Sequence, residues 1–354
     1  MRTCHLPLRL AFVISAVLLL CQLAPHRVAV AESGGGKSSG GPDSFGYEWI
    51  DQDEPGGPTS KFIDIEQSGT MLDFRDNQGD PNQDGGFDVA DLVKPFSFYG
   101  VSLTQIDVAT NGYISTKLND NGRDWTNDCP IPAPPSGGGG ARIYPFHDDL
   151  VARHDAFIKF FKNSPVTNIA GLKEPCTIVM WNDARRFEPR VDSFDFEVIL
   201  FHKSGEIRYQ YRDLYSGAGN EQTIGIQNGN ASTGLNYACN TADSVTDDSA
   251  ISIVDTNPAI AVVAPDGGEK WKAGSNKNIK WVFSYPSPAS DVKITLLDNG
   301  TEDSVIVAST PNDGKFKWSI PSNLLGTDYT IRIEDAADGD PSDVSDQEFE
   351  ITAP

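Results

Sequence analysis

Positive charge is scarce in this chain. Its 354 residues hold 28 Lys and Arg against 50 Asp and Glu, a formal net charge of −22. Binding energy on nucleic acid and on anionic membranes comes mainly from Lys and Arg set on phosphate. No nucleic-acid partner is therefore expected, and a solvated, self-repelling surface suits an extracellular or periplasmic protein. Long apolar runs are equally few. The run Leu10–Leu20 follows Arg2 and Arg9 and precedes the small-residue site Ala29-Val-Ala31, the arrangement of a removable export leader over residues 1–31. That run is too short for a stable bilayer anchor. A lipoprotein reading would use Cys21, but Leu20 sits where a small residue is wanted. Beyond the leader the chain is expected to be soluble, without an integral membrane segment, and secreted or held at the cell surface. It becomes more acidic still once Arg2, Arg9 and Arg27 are removed.

Cysteine is sparse too: five in all, of which Cys129, Cys176 and Cys239 lie beyond the leader. No cysteine has a CxxC neighbour, which argues against redox catalysis and zinc. Three in an exported chain suggest one bridge and one thiol. Cys129 lies in a Pro/Gly-rich loop and Cys239 follows the strand-like Leu235-Asn-Tyr237, so these two are the candidate pair. Cys176 opens an apolar strand, where a small buried hydrophobe is the ordinary role.

A helical period is missing as well; period-two patterning takes its place. In Phe96–Ile114, apolar Val101, Leu103, Ile106 and Val108 predict a strand. Asn111-Gly112, which readily supplies positive φ at both central turn positions, predicts a tight turn, and Tyr113-Ile114 restarts the run. Further strands are expected at Phe62–Ile65, Ile143–Leu150, Thr177–Trp181, Phe194–Phe201, Glu206–Tyr211, Thr223–Gln227 and Ile251–Ile253. Residues 32–44 read as a flexible Gly/Ser linker. Residues 120–142, with four prolines and the run Gly137–Gly140, read as a long mobile loop. After Pro258, about seven short strands with regular turn signals predict a β-sandwich. The expected fold is all-β. A sandwich-like first domain (45–256) is followed by an immunoglobulin/fibronectin-like β-sandwich (258–354).

Few motifs carry chemistry. Asp80-Pro-Asn82-Gln-Asp84-Gly85-Gly-Phe87-Asp88-Val-Ala-Asp91 follows the EF-hand-type loop, placing oxygen ligands Asp80, Asn82, Asp84, Asp88 and Asp91 where Ca²⁺ wants them and Gly85 at the sharp turn. Against it, Asp91 replaces the bidentate Glu, Pro95 follows too soon for an exiting helix, and an acidic turn feeding a strand explains the same residues. Calcium is the sole cofactor the sequence raises. His147, Asp148 and Asp149 invite a catalytic reading, yet no local motif marks a nucleophile, and paired Asp at a strand end more often cap turn amides. Asp195 and Glu197 are a second carboxylate pair. Trp271, Trp281 and Trp318 suit either a sugar-stacking surface or plugs of the sandwich core. Asn230 and Asn299 begin glycosylation sequons. The acids of Asp335–Asp346 fit a solvated hairpin loop.

The first domain resembles the nidogen-like extracellular domain in its exported bacterial version. The resemblance rests on Pro95-Phe-Ser-Phe-Tyr-Gly100, Val108-Ala-Thr-Asn-Gly-Tyr113, Ile143–Leu150, Val179-Met-Trp181, Phe196–Leu200 and Thr223–Asn228. His147 departs from it, standing where the family has a large apolar or aromatic residue, and the flanking pattern implies a structural position. The second domain is similar to the N-terminal module of the yeast cell-wall β-glucan synthesis family. The matching residues are Val263–Trp271, Ile279-Lys-Trp281, Pro311–Pro321, Tyr329–Ile333 and Ser342–Asp346. No Ser/Thr-rich tail or lipid-anchor signal accompanies it, so no anchoring is implied. Neither resemblance implies catalytic residues. Together they imply a non-catalytic cell-surface or matrix adhesion protein whose partner is a cell-wall polysaccharide or a surface protein. A secreted hydrolase or its accessory subunit, or a calcium-dependent assembly protein, is the alternative.

Overall fold

The computed structural model describes residues 39–74, 85–118, 120, 122, 124–152, 155–187, 193–214 and 222–354. Every regular element among them is a strand. The leader, with Cys21, lies outside the described residues, as do Asp80, Asn82 and Asp84. No described helix is long and apolar enough to cross a membrane.

Between Ser39 and Asp255 the strands form two sheets. The larger runs, in spatial order, Ser39–Gly40, Tyr47–Asp51, Ala250–Asp255, Ile207–Leu214, Phe194–Phe201, Cys176–Arg186, Ala156–Phe161 and Thr70–Met71, with Leu150–Val151 paired to the far end of Cys176–Arg186. The smaller runs Gly234–Cys239, Thr223–Gln227, Arg142–His147, Tyr113–Ser115, Val101–Ala109 and Phe87–Phe98. Their facing sides close one apolar core, in which Phe96, Ile106, Val108 and Phe146 meet Val179, Trp181, Phe196 and Tyr209. The aromatic residues with polar tips bond to the backbone inside it. Trp181 Nε1 donates to Ala109 O (3.0 Å), Tyr209 Oη to Gly225 O (2.8 Å) and Tyr211 Oη to Pro145 O (2.7 Å). A buried ring keeps its apolar payload only if its donor is met.

All eight residues of Phe194–Phe201 are buried, so the larger sheet is covered on its outer side as well. There Ile65, Val166, Cys176, Ile178, Met180, Ile199 and Phe201 form a second cluster, with Phe62 and Ile63 packed against it. Phe62–Ile65 is not a strand, contrary to the sequence reading. Its amides are met by side chains instead: Lys61 N donates to Gln210 Oε1 (2.6 Å) and Ile63 N to Glu197 Oε1 (3.1 Å). An apolar strap with side-chain partners has the same pattern as a strand.

Two other expectations are corrected. Residues 39–44 are not slack linker. Ser39 and Gly40 pair with Ile50 and Trp49, and Asp43 Oδ1 accepts the amides of Phe45, Gly46 and Tyr47. At Asn111-Gly112 only Gly112 takes positive φ (71°), because Ala109 pairs with Tyr113 across a three-residue loop rather than a two-residue one. The two-positive-φ form occurs at Asn299-Gly300 (47° and 73°), between paired Asp298 and Thr301.

From Ile260 onward a three-stranded sheet (Ile260–Ala264, Asn276–Phe283, Lys315–Ser319) faces a larger one. That sheet is ordered Lys270–Lys272, Phe349–Thr352, Gly326–Asp335, Asp291–Asp298, Thr301–Pro311. Trp271, Trp281 and Trp318 lie in the core between them beside Ile294, Ile331 and Phe349. They are core plugs, and no stacking surface is built from them. Trp281 Nε1 finds Asn312 Oδ1 at 2.6 Å. Two lysines of the first part, Lys94 and Lys203, meet two aspartates of the second, Asp266 and Asp346, at 2.8–3.6 Å.

Candidate functional site

Among the described residues the richest concentration of buried charge lies on the outer side of the smaller sheet, beneath residues 124–141. Arg142 opens its strand and is fully buried. Its Nη2 lies 2.7 Å from Asp120 Oδ2 and donates to Gly137 O (2.8 Å), while Nε donates to Gly139 O (3.1 Å). The guanidinium stands 4.2 Å from the centre of the Tyr113 ring, a cation–π contact strengthened by exclusion of water. Tyr113 Oη in turn donates to Asp120 Oδ1 (3.0 Å), and Asp120 N donates to Asp107 Oδ2 (3.1 Å). Gly138 is needed here: a Cβ on it would lie 2.2 Å from Asp120 Oδ1. The glycine run is thus shaped to wrap a carboxylate, and the loop expected to be mobile is fastened.

Asp124 is the poorly served member. It is buried, 3.7 Å from Arg142 Nη1, and among the described residues neither carboxylate oxygen has a partner of good hydrogen-bond geometry, the Gly137 amide giving only a weak pull. Burial pushes it up to about 7, against the pull of Arg142. Two more ties hold the loop. The structure joins Cys129 to Cys239, while Cys176 stays a buried thiol, pushed up to about 12 by burial. His147, also buried, faces Asn111 O through Nδ1 (2.9 Å) and Thr126 O through Nε2 (3.2 Å), and burial pulls it below its ordinary value. Trp125, between these anchors, is left 51% exposed. Sequence reading missed Arg142, Asp120, Asp124 and Trp125; the available signal was one Arg opening an otherwise apolar strand.

The other candidates are placed as follows. Asp148 pairs with Arg186 Nε (3.0 Å) and accepts the amide of Asp149 (2.8 Å), the turn-capping role. Asp149 O accepts from Phe187 N (2.8 Å). Thr223 stands beside His147 in the ladder, but its hydroxyl points to Asn127 Oδ1 (3.5 Å) and not to the imidazole. Asp195 is held by Arg212 (2.8 Å) and by Asp183 N (2.7 Å). Glu197, two residues along the same face, is fully buried, accepts from Gln210 Nε2 (2.7 Å) and is pushed up to about 8 by burial. Of the five candidate calcium ligands only Asp88 and Asp91 are described. Three apart on Phe87–Phe98, they point to opposite faces, Asp88 accepting Asp73 N (3.0 Å) and Asp91 accepting Gln105 Nε2 (2.7 Å). Asn230 and Asn299 are exposed in turns. Among the described residues no group of three His, Cys, Asp or Glu could hold a metal ion.

Two all-β parts, one closed over a wide double sheet and one an immunoglobulin-like sandwich, define a modular all-β protein. A family model described as NIDO related matches residues 58–264, more than half of the chain, which therefore belongs to that family. The model of the Kre9/KNH-like N-terminal Ig-like domain matches residues 264–350. Both resemblances read from the sequence are thus shown, in the expected order. These families are extracellular or cell-wall associated. No curated protein matches the chain.

Proposed function

We propose that this is an exported, non-catalytic binding protein of the cell surface or matrix, acting in adhesion to a wall polysaccharide or a surface protein. One observation carries the reading: Asp120, Arg142 and His147 of the clamped face are engaged in fastening loops. Arg142, His147 and the Cys129–Cys239 bridge fix residues 116–141 to a rigid sheet and leave Trp125 in solvent. Loops held on a rigid scaffold are where binding residues concentrate, and an exposed Trp supplies contact area at low entropic cost. The test is retention of residues 32–354 on insoluble polysaccharides and on envelope from the host, with calcium and with chelator. Retention lost in Trp125→Ala at unchanged melting temperature supports the reading. Retention that requires calcium would instead make the Asp80–Asp91 loop the functional element. No retention on any surface would overturn the adhesion function.

A further inference from the structure

We propose that a band of unpaired lysines crossing from the first part of the chain to the second holds a linear anionic polysaccharide. The inference rests on the surface-binding function above and gives one partner its chemistry. A concavity of about 460 Å³ in the first part is lined by Lys61, Lys173 and Arg208 with Thr59 and Thr167, and no acid lines it, in a chain that carries 50. Its size is within the range of about 300–1,000 Å³ typical of ligand sites. Arg208 is fixed in the wall, donating to Thr167 O (2.8 Å), Glu206 Oε1 (2.6 Å) and Ser252 Oγ (3.1 Å). Lys61 and Lys173 are exposed and form no ion pair among the described residues.

The band continues across the junction. Leu172 packs on Gly314, where a Cβ would lie 2.4 Å from Leu172 Cδ2, so Lys173 and Lys315 flank one contact. Lys315 stands directly opposite Lys280 on the neighbouring strand, and Lys317 opposite Asn278. All three lysines are exposed and unpaired among the described residues; the Asp313 carboxylate accepts the Lys315 amide instead. Like charges opposed across a ladder are unfavourable unless something neutralises them. Some cations of the same part are answered by acids, as in Lys270–Glu350 (2.7 Å), Lys293–Glu334 (2.9 Å) and Arg332–Glu302 (3.1 Å), whereas Lys272 and Lys277 form no ion pair among the described residues but oppose Thr352 and Trp318 rather than a second lysine. Among the described residues no acid answers Lys61, Lys173, Lys280, Lys315 or Lys317, and the missing partner is an external polyanion. The concavity has no aromatic ring on which bases could stack, while Thr59 and Thr167 offer hydroxyls. Carbohydrate fits better than nucleic acid.

The probes are polygalacturonate, a neutral β-glucan and duplex DNA, each presented to residues 32–354 at low and high salt. Polygalacturonate should bind, be released by salt, and bind roughly thirtyfold more weakly to Lys173→Gln/Lys315→Gln, with circular dichroism unchanged. Equal affinity in wild type and variant, equal retention on the neutral glucan, or tighter binding to DNA would overturn the inference. Retention on host envelope without polygalacturonate binding defeats this inference alone, whereas retention on nothing defeats the adhesion reading as well.

Discussion

Arg142→Leu and Asp124→Asn alter the same buried cluster and should have opposite effects. The leucine removes the cation that meets Asp120 at 2.7 Å, leaves Gly137 O without its donor and Gly139 O with Ser115 Oγ alone, and ends the contact with Tyr113. Breaking a buried pair by deleting one partner costs about 3–5 kcal/mol. For a module of roughly 200 residues that is a fall in melting temperature on the order of 10 °C. Asp124 is different, since among the described residues its carboxylate has no hydrogen bond of good geometry, and it lies 3.7 Å from the guanidinium. The folded state holds the Asp124 proton up to about pH 7, whereas an ordinary Asp releases it near 3.8. Its ionisation penalty is therefore absent below about pH 4, grows as pH rises, and is complete above pH 7, where it reaches about 4 kcal/mol at most. Asp124→Asn should stabilise the protein by about 1–2 kcal/mol at pH 8, less at pH 5. Denaturant unfolding of the oxidised chain at both pH values measures this, and limited proteolysis within residues 116–141 reports whether the clamp has opened. A loss below about 1 kcal/mol for Arg142→Leu, or an equal loss for Asp124→Asn, would refute the reasoning.

Three further changes test other parts of the fold. Replacing Cys129 and Cys239 by Ser opens a closure of sequence separation 110 and should cost about 2–5 kcal/mol, read as a drop in melting temperature that reductant reproduces in the wild type. Glu197, pushed up to about 8, keeps its proton in the folded state while the unfolded chain releases it near 4.5, so its contribution to stability falls as pH rises from about 4.5 and is gone above about 8. Glu197→Gln should be within about 1 kcal/mol of wild type at pH 5 and progressively more stable toward pH 9, as denaturant midpoints will show. Gly112→Ala places a Cβ 2.1 Å from Phe146 O at a φ of 71° and should cost at least about 2 kcal/mol in the same assay.

Sheet content and core were legible because burial imposes a period, and the period survives in the residue order. Val101–Ala109 and Phe194–Phe201 are strands as read, and the three tryptophans of the second part are inside. His147 was recognisable as structural from its apolar neighbours. What failed has a common cause: a partner distant in sequence. Phe62–Ile65 has a strand's composition, but Gln210 and Glu197 take its amides. Asn111-Gly112 and Asn299-Gly300 are the same dipeptide, yet at the first the Asn111 side chain is engaged by Gly122 O and Leu150 N within a longer loop. The Arg142 cluster was invisible because its acids sit in a Gly/Pro-rich loop with no periodic signal to say that it folds back on the sheet.

The most direct test of the central claim is a hydrolysis screen on model glycans and peptides, run on residues 32–354 and on Asp148→Ala. Wild type and variant should both show no turnover above the blank, since Asp148 serves to hold Arg186 and a turn amide. Turnover by the wild type that disappears in Asp148→Ala, with the melting temperature unchanged, would contradict the non-catalytic reading and make this face an active site.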